Sequence, residues 1–178
     1  MTRWVRSALF TAFLFAALLA PQPAVAGPPL LCFPFDIGTA RSLPMGSGGW
    51  RAIDPAYDVT RLIDDTVALL GPDTPVLVRM ETLRRATVYA ADHAEIAAAL
   101  LRTLRDRAKV PAANAGLAVF DFGYLVETYR QAAPMFKHAI ADIAGVDGYQ
   151  LVLKARALQP DASMEYAAQL IASGSAGR

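Results

Sequence analysis

Between Asp54 and Ser173 the apolar residues return every three or four positions, the spacing of one helix face. Nowhere is there the sustained period of two that a half-buried strand needs. Val59, Leu62, Ile63, Val67 and Leu70 make the first such face, which Asp54-Pro55 opens by a cap followed by a proline and Gly71-Pro72 stops. Val76, Met80, Leu83, Thr87 and Ala90 make the next, with Asp73 and Thr74 as capping acceptors and Pro75 in the first turn. Asp92 offers a second cap for Ile96, Leu100 and Leu104, a helix that ends in Arg105, Arg107 and Lys109 before Pro111. The stretch Thr74–Lys109 therefore reads as a helical hairpin at the centre of the core. Residues 117–131 carry two apolar stripes, Leu117, Phe120 and Tyr124 on one side and Phe122, Val126 and Tyr129 on the other. A helix apolar on two sides is sandwiched between neighbours, and Gly123 permits a close crossing. A short helix over Pro134–Ala144 is expected next, then one capped by Asp147 and running to Leu158, then one opened by Pro160-Asp161 and running to Ser173, with 174–178 a frayed tail.

Residues 27–54 break this rhythm. They are rich in Pro and Gly, yet Leu30, Leu31, Phe33, Phe35 and Ile37 are too apolar for a free linker. They read as an extended arm lying on the helices, with a helical turn near Asp36–Ser42. Gly46, Gly48 and Gly49 make a flexible turn rather than a phosphate loop, since no Lys-Ser/Thr follows them. Upstream, Arg3 and Arg6 precede a largely apolar run from Ser7 to Ala20, Pro21, and Ala24-Val25-Ala26. That order matches a Sec-type signal peptide cleaved after Ala26, and the run is shorter than the roughly 20 residues a spanning helix needs. Export to the periplasm or beyond is the expected localisation. An uncleaved signal would instead anchor the chain to the envelope.

The whole chain has 17 basic and 16 acidic residues; removing the leader's two Arg leaves a near-neutral protein with no global drive toward nucleic acid. Charge gathers in one place only. Between Arg79 and Lys109 seven basic residues face four acidic ones. A solvated helix face accounts for them; a surface for an acidic partner, built from Arg79, Arg84, Arg85, Arg102, Arg105 and Lys109, is the functional alternative. The single cysteine, Cys32, cannot form an internal disulfide. It reads as a buried thiol among Leu31, Phe33 and Phe35, with an intermolecular thiol contact as the alternative in an oxidising compartment.

Taking Pro160 as a closing proline, Ala155 and Gly148 fall on two small positions, Val152 on an aromatic one, and Tyr166 on the aromatic that opens a next unit. In this the C-terminal part resembles a tetratricopeptide repeat. Ala132, Phe136 and Ala139 stand where that family has Trp, Gly and Tyr, so the upstream half departs from it. The resemblance implies stacked helical hairpins and a protein-interaction role, not a reaction.

Catalytic patterns are sparse. His93 sits at a helix start, on the side of Ile96 and Leu100, and reads as partly buried; His138 reads as solvent-facing. His93-Ala94-Glu95 points its two side chains apart, and neither His-x-x-x-His nor His-Glu-x-x-His occurs, so no metal is expected. No Gly-x-Ser-x-Gly elbow occurs. A carboxylate pair would have to come from Asp64, Asp65, Glu81, Glu95, Asp121 or Glu127, and nothing in the sequence selects one. Glu81 and Glu127 lie near apolar stripes at salt-bridging distance in sequence from Arg84, Arg85 and Arg130. The expectation is an all-α domain of stacked antiparallel hairpins, either repeat-like or an irregular bundle, with an extended N-terminal arm. Its expected role is that of an exported, cofactor-free module binding a protein or peptide; a small hydrolase with a carboxylate or histidine site is the alternative.

Overall fold

The computed structural model describes residues 29–175. The expected leader, residues 1–26, and the end of the tail lie outside them. The described chain is all-α, with six α-helices packed against one another and no strand. They are α1 (Leu62–Leu69), α2 (Val76–Ala90), α3 (Ala94–Lys109), α4 (Ala115–Ala132), α5 (Gly148–Leu158) and α6 (Ala162–Ser175).

The two-sided helix is the hub. α4 touches α2, α3, α5 and α6, and it is buried almost continuously from Gly116 to Tyr129. Phe120, Tyr124, Leu125, Val126 and Tyr129 are fully enclosed, and burying side chains of this kind contributes roughly 1.5–3 kcal/mol each. Its crossing with α5 is set by two glycines. A Cβ on Gly123 would stand 2.7 Å from the Leu151 Cβ and 2.9 Å from the Gly148 carbonyl oxygen. Only paired hydrogens let the two backbones approach this closely. Gly148 is therefore buried, with Val152 and Ala155 on the same inward face, and Met164, Ala167, Ala168 and Ile171 of α6 extend it.

The hairpin α2–α3 forms where the apolar spacing puts it, but the core's centre lies between α2 and α4 rather than within the hairpin. Only Ala97, Leu100, Leu101 and Leu104 of α3 are buried, whereas α2 is enclosed almost all round. Neither helix has its expected side-chain cap. The Thr74 hydroxyl donates back to the Leu69 carbonyl (2.9 Å), and Asp92 pairs with Lys137 (2.9 Å). Farther along, Asp147 and Asp161 do cap, accepting from Gln150 N–H and from Ser163 and Met164 N–H.

Expected and observed elements differ at several points. The first helix begins at Leu62 behind a 3-10 turn over Val59–Arg61, because Asp58 accepts from Thr60 N–H and takes over as cap. Asp54 instead turns the chain through its bond from Ala56 N–H. Pro134–Ala144 is not an α-helix: 3-10 turns at Ala133–Met135 and Ala141–Ile143 replace it. Phe136, Ile140 and Ile143 pack on the core without a helical backbone. A single short helix is marginal in water, and this segment must also cross from the end of α4 to the start of α5. Near Asp36–Ser42 there is one hydrogen-bonded turn, Ala40 N–H to Ile37 carbonyl, through Gly38 at φ +56°. Finally, α6 continues through Ser175, past the expected end at Ser173.

Candidate functional site

The arm is fastened by charge as well as by apolar contact. Leu30, Leu31 and Leu43 are fully buried, and the Leu30 N–H donates to Gln131 Oε1 (2.9 Å). Beneath them, on α2, Glu81 receives Arg84 through both Nε (2.7 Å) and Nη2 (2.8 Å), Arg85 Nε (2.7 Å) and the Phe35 N–H (3.0 Å). Arg84 Nη1 then donates to the carbonyls of Leu31 (3.2 Å) and Trp50 (3.0 Å), and Arg85 Nη1 to that of Leu43. Tyr89 adds a further fastening, donating to the Pro44 carbonyl and accepting the Asp54 N–H. Burial alone would raise the Glu81 carboxyl, but the bonds from Arg84, Arg85 and Phe35 outweigh it and hold the group below its ordinary range.

A second ion pair lies two residues earlier on α2, with the hub helix α4. Arg79 Nη1 donates to Asp121 Oδ2 of α4 (2.7 Å), with both side chains 1% exposed. The same guanidinium donates to the Thr74 carbonyl through Nε (2.9 Å) and to the Gly71 carbonyl through Nη2. It therefore clamps the α1–α2 connection to the hub helix. Asp121 Oδ1 is buried without a hydrogen-bond partner. Burial pushes this carboxyl up to about 6, only partly countered by the positive charges of Arg79 and Arg107. A third buried carboxylate, Glu127, accepts from Arg130 and from the Tyr149 N–H (3.2 Å).

These pairings redraw the expected basic face. Arg79 and Arg84 are inside the protein and form no part of an exposed surface; Arg85 is half-buried and spent on Glu81 and Leu43. For Arg84 and Arg85 the reason is the arm, whose carbonyls need donors once its leucines are buried; Arg79 is drawn in instead by Asp121 and the carbonyls of the α1–α2 connection. Arg102 is exposed, Lys109 is exposed and paired with Asp106 (2.8 Å), and Arg105 is half-buried, its guanidinium 5.7 Å from the centre of the Phe122 ring. His93 is exposed rather than partly buried, and His138 is half-buried against Phe136 rather than solvent-facing. Cys32 is half-buried beside a largely exposed Phe33, and burial raises its thiol. Asp65 binds Arg61 and the Tyr57 hydroxyl, both at 3.0 Å. Asp64 and Glu95 are exposed.

A groove of about 710 Å³ opens between residues 40–44 of the arm, Arg61, Asp65, Ala68 and Leu69 of the first helical segment, and the connection Gly71–Pro75. The volume falls within the usual range for ligand sites. Sequence reasoning missed it because three separate stretches make it, and only the Pro and Gly content at 71–75 marks one of them. Among the described residues, the main-chain groups of Arg41 and Ser42 have no hydrogen-bond partner in the protein. Among the described residues no group of His, Cys, Asp and Glu is arranged to hold a metal ion, and no helix formed by them is long and apolar enough to cross a membrane. No family model, no curated protein and no solved structure matches this chain.

Proposed function

We propose that this chain is an exported, non-catalytic helical module that binds a protein or peptide segment in the groove between the arm and the α1–α2 connection. The carrying observation is the pairing of that groove with the unbonded main-chain groups of Arg41 and Ser42 on its wall. An extended peptide offers complementary N–H and C=O groups, and main-chain bonds of this kind give affinity without demanding one sequence. The hydrolase alternative has less support. His93 and Glu95 are solvated, while Glu81 and Glu127 are occupied by internal donors. Small buried residues at Gly148 and Ala155 fit the packed layers that the tetratricopeptide-like pattern implies, although its upstream helix is replaced by turns. Localisation belongs to the same proposal: the leader directs export and is removed after Ala26.

A photo-crosslinking residue at Ala68, in the groove, tests this against one at Ala157, exposed on α5. In the envelope fraction the groove position should yield a discrete adduct that the α5 position does not. Identical adducts from both, or none from either, reject the groove. The mass of the exported chain checks the cleavage site independently.

A further inference from the structure

Two walls of the groove are tied to α2. On the arm side the Ser42 and Thr82 hydroxyls share a hydrogen bond (3.0 Å), Arg85 donates to the Leu43 carbonyl, and Tyr89 donates to that of Pro44 (2.9 Å). On the side of the α1–α2 connection Arg79 donates to the carbonyls of Thr74 (2.9 Å) and Gly71. Arg79, Thr82 and Arg85 follow at intervals of three, so one run along a single helix sets the spacing of two irregular stretches. Walls fixed in advance need little ordering when a partner enters.

Among the charged residues that line the groove, Arg61 and Asp65 cancel each other (3.0 Å), and Asp65 also accepts the Tyr57 hydroxyl. Arg41 on the arm and Asp73 on the connection are exposed, and neither side chain has an ion-pair or hydrogen-bond partner among the described residues. With them stand Ala40, Pro44, Ala68, Pro72, Pro75 and Val78. The groove thus offers one cation, one anion, small apolar contacts and the main-chain groups of Arg41 and Ser42. A partner of a single charge sign meets its like on one wall. A partner that carries both signs satisfies both walls. An extended main chain bonded to Arg41 and Ser42 sets one of its own side chains directly across from Arg41. We propose that the groove takes an extended peptide segment of mixed charge, in which an acidic side chain pairs with Arg41 and a basic one with Asp73 around small apolar residues. This rests on the groove reading and names the chemistry of its partner.

The photo-crosslinking residue at Ala68 reads the groove, and charge variants read its partner. At low salt Arg41→Glu and Asp73→Lys should each lower the adduct yield about fivefold or more. The milder Arg41→Gln and Asp73→Asn should each lower it about twofold. Lys154→Glu, at an exposed charge on α5, should leave it unchanged. Circular dichroism verifies that the variants are folded. A library of random nonapeptides displayed on phage and panned on residues 27–178 should enrich sequences that carry both an acidic and a basic residue. Panned on Arg41→Glu instead, it should lose its preference for the acidic one. An adduct insensitive to either reversal overturns the mixed-charge partner, as does enrichment of neutral or single-sign sequences or of none. In each of those cases an adduct at Ala68 still upholds the groove. No adduct from the native chain rejects the groove and its partner together.

Discussion

Glu81 and Asp121 are both buried carboxylates facing arginines of α2, yet they sit on opposite sides of their ordinary acidity. Glu81 accepts from two guanidinium groups and a backbone N–H, and is held in its charged form. Asp121 accepts from Arg79 on one oxygen, its other oxygen has no partner, and its acidity is weakened. Neither is exposed, though Asp121 lies the deeper of the two and its desolvation is what raises it. The number of converging donors differs as well, and each donor replaces part of the hydration that burial removed. The Glu81 centre is the arm's anchor; the Asp121 centre is a single-bond clamp between a loop and the hub helix.

The largest test is Glu81→Gln. It leaves Arg84 buried without its carboxylate and should cost about 3–5 kcal/mol, seen as an earlier urea midpoint. Limited proteolysis should open the arm between residues 33 and 50 before the helices. If the arm stays protected, apolar contact rather than charge fastens it. Gly123→Ala comes next. It touches neither centre but forces α4 and α5 apart, at a cost of about 1–3 kcal/mol. A smaller loss than Asp121→Asn shows would mean that the clamp outranks the helix crossing.

Asp121→Asn should have the smallest effect at neutral pH, on the order of 1 kcal/mol, because the asparagine keeps an acceptor for Arg79 and sheds a poorly solvated charge. Its signature is the pH dependence. A carboxyl raised from 3.8 to about 6 on folding stabilises fully below its unfolded value, and that contribution is lost as pH rises through 6. Unfolding measured at pH 5, 6 and 7 should therefore show the native chain gaining on Asp121→Asn as the pH falls. Glu81, shifted the other way, loses its contribution only as the pH falls below the ordinary carboxylate range. A difference between the native chain and Asp121→Asn that does not vary with pH breaks the comparison.

The helices were legible because their signals are local. The two stripes of residues 117–131, the Asp147 and Asp161 caps and the proline and glycine stops each act within a few residues. Pairing of Glu81 with Arg84 and Arg85 was legible for the same reason, being one helical turn. Burial of that pairing was not. It depends on Leu31, Leu43 and Trp50, which lie 34 to 53 residues away, and no periodicity encodes a remote carbonyl. The Arg79–Asp121 clamp, 42 residues apart in sequence, was hidden likewise. The groove combines both problems, since its walls come from three stretches and one of them is irregular.

The bond from the Leu30 N–H to Gln131 spans 101 residues. A ribosome delivers Leu30 long before Gln131, and Pro29 also packs against Gly174 in the last helix. The first residues of the arm, from Pro29, thus have no complete resting place until nearly all the rest has emerged. During that interval Leu30, Leu31, Phe33 and Phe35 are an exposed apolar segment, open to capture by a chaperone or by another copy. The arm is made first and seated last, so its docking marks completion of the fold.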